Sequence, residues 1–273
     1  MRADRRTFLK VAGLTLLGLG MRPAVNAFAG GAPRTALLPA GVSSPTVASA
    51  PQIATPLVGS RWAMVVDVSK WAMDAKDCIE ACNREHNIPQ FKDPKEEIKW
   101  IWDETFDKVF ADDTNQYMSA DLKEMHLPVL CNHCDNPPCV RVCPTRATWK
   151  DESNGIVMMD MHRCIGCRFC VAACPYGSRS FNWKDPRLGL DMEHLSSSFP
   201  TRTRGVVEKC TFCYERLAKG LMPACVEASK NRALIFGDMG DPNSEVRRLV
   251  ESHYTLVRKP NLGTRPQVYY IIS

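Results

Sequence analysis

Residues 164–175 read CIGCRFCVAACP: four cysteines at spacings of two, two and three residues, closed by a proline. A near-equivalent run, CNHCDNPPCVRVCP, occupies residues 131–144. Two full runs in close succession, each ending Cys-Pro, lie far outside chance spacing. Three close cysteines place three sulfurs around one tight loop. The fourth stands a turn into the following helix and points away from them. Gly166 suits such a loop, because the backbone there must bend where a Cβ is unwelcome.

This spacing is that of the bacterial run holding cubane [4Fe–4S] clusters, in which the fourth cysteine ligates the neighbouring cluster. Exchanged in that way, one cube takes Cys131, Cys134, Cys139 and Cys174, and the other takes Cys164, Cys167, Cys170 and Cys143. Zinc is the competing reading of C-x2-C pairs, as a structural zinc or cysteine-rich binding module. Zinc sites use two pairs, however, not triplets with a displaced fourth thiolate.

Two outer blocks are incomplete. CTFCYERLAKGLMPACVEAS supplies Cys210, Cys213 and Cys225, and its fourth position is Ser229. KWAMDAKDCIEACNREHN, residues 70–87, ends the pattern with Cys78-x3-Cys82 but has Ala72 and Ala75 where two further cysteines would stand. If the outer blocks exchange fourth ligands as the inner ones do, Cys82, Cys210, Cys213 and Cys225 complete a third cube. The remaining site would need positions 72, 75, 78 and 229, and all three losses fall there. The expectation is three [4Fe–4S] clusters, one of four ancestral sites having been deleted. Cys78 is then a spare, buried thiol, and Trp71 is expected to fill vacated volume. Restoring cysteine at 72, 75 and 229 is expected to add iron. A cubane on four thiolates carries about −2 when oxidised, so Arg141, Arg163, Arg168 and Lys209, beside the ligands, are candidate counter-charges. His133 and His162 read as turn residues and not as iron ligands.

Thirteen cysteines in 273 residues would ordinarily suggest disulfides in an exported chain. The N-terminus, MRADRRTFLKVAGLTLLGLGMRPAVNAFAGG, pairs Arg5 and Arg6 with an apolar run and a small-residue cleavage site at 27–29, which resembles a twin-arginine export signal. That route carries folded proteins, so clusters can be installed before export. Residues 1–29 are expected to be this signal peptide and 30–60, rich in Ala, Pro and Ser, a linker. The folded domain is expected over 61–273. Most of the net charge of +5 belongs to the signal, which holds five basic residues against Asp4. No basic stripe for nucleic acid remains.

Within the domain, AMVVDV (63–68), LPVL (127–130), ALIF (233–236) and QVYYII (267–272) read as strands, and ATWKDESNGIVMMD (147–160) as a hairpin turning at Ser153-Asn154-Gly155. DPNSEVRRLVESH (241–253) reads as a surface helix with Val246 and Leu249 inward, and 184–205 as a loop. Residues 88–126 form a cysteine-free insertion, in which EIKWIWDETF (97–106) suits strand and helix equally.

LPVLCNHCDNPPCVRVCPTRATW and HRCIGCRFCVAACPYGSRSF resemble the four-cluster ferredoxin-type subunits of membrane-linked molybdopterin oxidoreductases, such as the polysulfide, tetrathionate and nitrite-reductase-linked ones. The resemblance covers residues 61–273. CNREHNIP, from Cys82, and GTRPQVYYI near the C-terminus also look like that family, and the former favours Cys82 over Cys78 as bridging ligand. The lost site, DPKEEIKWIWDETF and the export signal look most like the DsrO group, the iron–sulfur subunits of DsrMKJOP-type (Hdr-like menaquinol oxidase) membrane complexes of dissimilatory sulfur metabolism. This implies an α+β fold of duplicated bacterial ferredoxin-like modules with an insertion. It implies a non-catalytic electron-transfer subunit, peripheral to the extracytoplasmic (periplasmic) face of the cytoplasmic membrane. Its implied partners are a quinone-reactive integral membrane subunit, a multihaem cytochrome c and further redox subunits. The alternative within electron transfer is the corresponding subunit of an exported molybdopterin oxidoreductase.

Overall fold

The computed structural model describes residues 55–272. The expected signal and the first part of the linker lie outside the described residues. Residues 55–60 run along the domain: the Leu57 N–H donates to the Leu217 carbonyl (2.9 Å) and the Ser60 N–H to Asp238 Oδ2 (2.8 Å).

Ten strands are distributed over four small sheets. They are β1 (Trp62–Asp67), β2 (Ile101–Thr105), β3 (His126–Leu130), β4 (Thr148–Lys150), β5 (Val157–Met159), β6 (Ser180–Phe181), β7 (Val207–Glu208), β8 (Leu234–Asp238), β9 (Thr255–Leu256) and β10 (Val268–Ile271). The main sheet has the order β8-β1-β10-β9. In it β1 runs antiparallel to β8, with Val65 opposite Ile235, and parallel to β10, with Met64 opposite Val268. Trp62 to Val66 are all buried, as expected of a central strand covered on both faces. The pairs β2–β3, β4–β5 and β6–β7 are antiparallel two-stranded ribbons. The helices are short, apart from Val68–Glu85, and strands and helices are mixed in the α+β manner.

Within the stretch at 97–106, Ile101–Thr105 becomes strand because β3 offers it a partner: Ile101 faces Leu130 and Thr105 faces His126. Local period leaves the choice open; tertiary pairing makes it. The cysteine-free insertion is therefore part of the body. It delivers Trp100, Ile101, Phe106, Val109 and Phe110 to the main core. The hairpin forms with Thr148 opposite Met159 and Gly155 at a left-handed φ of 78° in its turn. The late helix spans Glu245–Ser252, with the Ser244 hydroxyl accepting from the Arg247 N–H (3.2 Å) and Val246 fully buried. Between 184 and 205 only a single 3-10 turn forms, Pro186–Gly189. No described helix is long and apolar enough to cross a membrane.

Val68–Glu85 departs most from the sequence reading. It leaves β1 without a loop and runs unbroken for 18 residues. Its buried stripe is Val68, Trp71, Asp74, Cys78, Ala81 and Cys82, the three- and four-residue spacing of one helix face. Ala72 and Ala75, strong helix formers, lie inside it where a cluster loop would have to open.

Candidate metal centres

Three of the four cysteine blocks share one backbone device. In each C-x-x-C, the residue before the second cysteine is left-handed: His133 (φ 41°), Gly166 (φ 70°) and Phe212 (φ 53°). This bend curls the loop so that its sulfurs converge. A Cβ on Gly166 would also lie 2.3 Å from the Gly205 carbonyl oxygen, so space as well as torsion demands glycine.

Cys131 opens the loop that leaves β3. With Cys134, Cys139 and Cys174 it lines one small, closed cavity, together with Tyr176 and Arg179. Burial pushes the Cys134 thiol up to about 12, and Cys131, Cys139 and Cys174 add to the shift. Four sulfurs thus crowd one enclosed space, which a shared cation would neutralise. His133 stacks on Phe212 with centroids 3.7 Å apart, and its Nδ1 accepts from the Val157 N–H (3.1 Å). Burial, then Lys209 and Arg179, hold it well below the usual histidine range, so it is neutral and fixed in the turn.

In the second group Cys143, Cys164 and Cys170 join one apolar cluster beneath the hairpin. Cys167 lies on the same loop, half-buried. The Val207 N–H donates to Cys164 Sγ (3.4 Å). Burial raises the Cys143 thiol, but N–H groups of Thr148, Thr145 and Ala147 together with the Thr145 hydroxyl bring it below its ordinary value. Donors are thus already aimed at a thiolate there.

Cys82, Cys210, Cys213 and Cys225 form the third group, although 128 residues separate Cys82 from Cys210 in sequence. Burial raises the Cys82 thiol well above its usual value, and Cys225, Cys213 and Cys210 raise it further, in that order. The Phe212 N–H donates to Cys210 Sγ and the Ala224 N–H to Cys213 Sγ, both at 3.4 Å. His86, one turn beyond Cys82, places Nδ1 3.7 Å from its sulfur and Nε2 2.7 Å from Glu215 Oε1.

The groups are adjacent in series. Cys131 acts on the Cys210 thiol, and Cys139 acts on Cys170. His133 of the Cys131 loop stacks on Phe212 of the Cys210 loop, and Cys139 shares an apolar cluster with Cys164 and Cys170, which puts the Cys131 group between the other two.

At the fourth position Ser229 and Cys78 are both buried, Ala75 is half-buried and Ala72 is exposed. What meets Ser229 is Asp74. Its carboxylate accepts from the Ser229 hydroxyl (2.6 Å), the Asn231 side chain (2.8 Å), the Asn231 N–H (3.1 Å) and the Ala233 N–H (3.3 Å). Burial alone would raise the Asp74 pKa, yet Ser229 and Asn231 hold it below the ordinary value. Trp71 joins the main core cluster, which also holds Cys78 with Ala75 packed against it, and its indole N–H donates to Asp103 Oδ1 (2.7 Å). Burial pushes the Cys78 thiol up to about 12, with Asp74 adding to it. Cys78 also acts on Cys225, but the partners around it are Asp74 and Ser229.

Of the expected counter-charges only Lys209 is buried; Arg141, Arg163 and Arg168 lie at the surface, the last stacked over Trp183 at 4.7 Å. Sequence reasoning missed Asp74, His86 and Arg179. Arg179 sits in the PYGSRSF segment that follows the second Cys-Pro, but nothing in that text gives its direction.

The donor set suits [4Fe–4S] clusters. It has clustered sulfur, four of it lining one cavity, with backbone N–H groups directed at sulfur and buried cations beside it.

Residues 122–189 and 195–239 match the family model described as a 4Fe-4S dicluster domain. The Hdr-like menaquinol oxidoreductase iron-sulfur subunit 1 of Archaeoglobus fulgidus is 40% identical over 232 residues, covering 77% of this chain and 82% of that protein. The menaquinone reductase iron-sulfur cluster-binding subunit of Nitratidesulfovibrio vulgaris is 37% identical, covering 77% of this chain and 88% of the relative. The iron-sulfur subunit of the arsenate respiratory reductase of a Shewanella species is 36% identical over 242 residues, covering 78% of this chain and 97% of its own length.

Proposed function

The chain belongs to the 4Fe-4S dicluster family of iron–sulfur subunits, and from that premise we propose that it is an electron-transfer subunit with three [4Fe–4S] clusters. The ligand sets are Cys82/Cys210/Cys213/Cys225, Cys131/Cys134/Cys139/Cys174 and Cys164/Cys167/Cys170/Cys143. The observations that support this are Cys82 set among Cys210, Cys213 and Cys225, Cys131, Cys134, Cys139 and Cys174 lining one cavity, and Cys143, Cys164 and Cys170 in one apolar cluster, while Asp74 ties Ser229 at the fourth position. The clusters supply one-electron chemistry. The chain's own residues space the sites in series, exclude water from them and supply donors to sulfur, so no catalytic acid, base or nucleophile is required. The ferredoxin-like modules are read as duplicated, on the repeated left-handed bend in three of the blocks.

The chain works in a membrane-associated complex as a member of the DsrO group, on the periplasmic face after twin-arginine export. It relays electrons between a quinone-reactive membrane subunit and further redox subunits, a multihaem cytochrome c among them, in dissimilatory sulfur metabolism. Support comes from the menaquinol- and menaquinone-linked relatives and from the signal-like N-terminus. Iron and acid-labile sulfide on anaerobically purified protein test the cluster count. About twelve of each per chain are expected, roughly sixteen would refute the closed fourth site, and zinc in place of iron would refute the reading altogether.

A further inference from the structure

Four cationic side chains, Arg179, Arg202, Lys209 and Arg258, are buried among the described residues. Arg202 is paired with Glu208. Among the described residues no carboxylate stands within ion-pair distance of the other three. A buried cation without a counter-charge is costly, and folded proteins rarely hold one. Arg258 lies over the Tyr176 ring, 5.3 Å from its centroid, and donates to the Tyr176 carbonyl (3.4 Å). Arg179 and Lys209 instead stand within the cysteine framework.

Arg179 Nη2 donates to Cys139 Sγ (3.0 Å) and to Thr148 Oγ1 (2.9 Å). Cys139 in turn shares one buried apolar cluster with Cys170. Cys139 belongs to the Cys131 group and Cys170 to the Cys164 group, so the guanidinium lies at the junction of two sites. Lys209 Nζ donates to the Val157 carbonyl and to the Cys210 carbonyl (2.6 Å). Val157 lines the cavity of the Cys131 group, and Cys210 belongs to the Cys82 group. The ammonium therefore lies at the other junction. Three sites in series have two junctions, and each holds one buried cation with no carboxylate within ion-pair distance among the described residues.

We propose that Arg179 and Lys209 are the built-in counter-cations of the relay, each shared by the two clusters it separates. This rests on the three-cluster reading above. A fixed positive charge favours the more negative, reduced state of a cluster and so raises its potential. Shared between neighbours, it raises both, and the cluster between the two cations gains from each.

The test is an anaerobic redox titration of the full, cluster-loaded protein, followed by electron paramagnetic resonance, with iron determined on every sample. Arg179→Gln is expected to lower two of the three potentials, each by about the equivalent of a tenfold change in the reduced-to-oxidised ratio, 59 mV for one electron. Arg179→Lys restores them. Lys209→Gln also lowers two, and only one cluster moves in both variants. Arg168→Gln, whose charge is in solvent, moves none. Should Arg179→Gln hold too little iron to titrate, Lys209→Gln with Lys209→Arg as its rescue decides at the other junction. Wild-type iron near twelve with unmoved potentials, a uniform shift of all three, or failure of the charge-keeping variants to restore them would overturn the inference. Absence of iron from the wild type would overturn the relay reading instead.

Discussion

Residues 72–82 and 164–174 occupy equivalent positions in two copies of one spacing, yet their backbones differ. At 164–168 the chain loops, with Gly166 and Arg168 both left-handed, before the short helix Phe169–Ala173 begins. At 72–82 it is helix throughout. The position that is His133, Gly166 and Phe212 in the looped blocks is Asp74 in the helical one. The difference teaches that more than three thiols separates the two stretches. The first is wound into a helix, and the residue at the position of the bend faces inward and ties Ser229, Asn231 and Ala233. A hydrogen-bonded carboxylate now joins segments that a cluster would otherwise join.

The comparison can be broken by rebuilding the lost site. Ala72→Cys, Ala75→Cys and Ser229→Cys together are expected to leave iron near roughly twelve per chain, because the thiols would sit in a closed helix. This revises the expectation from spacing alone. Adding Asp74→Gly frees the bend and should bring iron to roughly sixteen; no gain on iron analysis would mean that more than this helix excludes the cluster. The converse change, Gly166→Ala, meets the Gly205 carbonyl and should cost one cluster, about four of twelve iron atoms, together with its resonance signal. A smaller effect is expected for Asp74→Ala in the native background. It strands the Ser229, Asn231 and Ala233 donors and should cost about 3 kcal/mol. On thermal unfolding of the loaded protein that is a midpoint fall of about 6–12 °C, with iron unchanged. Cys78→Ala should be smallest, about 1 kcal/mol with full iron, whereas Cys82→Ser should lose the Cys210 group's cluster. Iron loss in the Cys78 variant would exchange the roles of the two cysteines.

Most of the candidate centres were legible because cysteine spacing is a direct record of loop geometry. The grouping of Cys82 with Cys210, Cys213 and Cys225 follows from the exchange rule alone. Asp74 was not legible: an aspartate between alanines suits a helix, and its partners lie 155 to 159 residues away. Arg179 is hidden for the same reason, 40 residues from Cys139. Strand β2 stayed open because its own residues do not choose; β3 chooses for them. Lys209 was visible as a neighbour of Cys210, but only packing separates it from Arg141, Arg163 and Arg168, which look alike in text and stand in solvent.

Strand β10 sits inside the main sheet, between β1 and β9. Its partner residues in β1 lie 204 positions earlier in the chain, Met64 against Val268. The segment just before it also braces the loop of the Cys131 group: the Asp135 N–H donates to the Arg265 carbonyl (2.9 Å) and the Asn136 N–H to the Thr264 carbonyl (3.0 Å). Among the described strands, the first to be made must therefore wait, edge open, for the last. Until that strand is made, the loop of the Cys131 group lacks this brace.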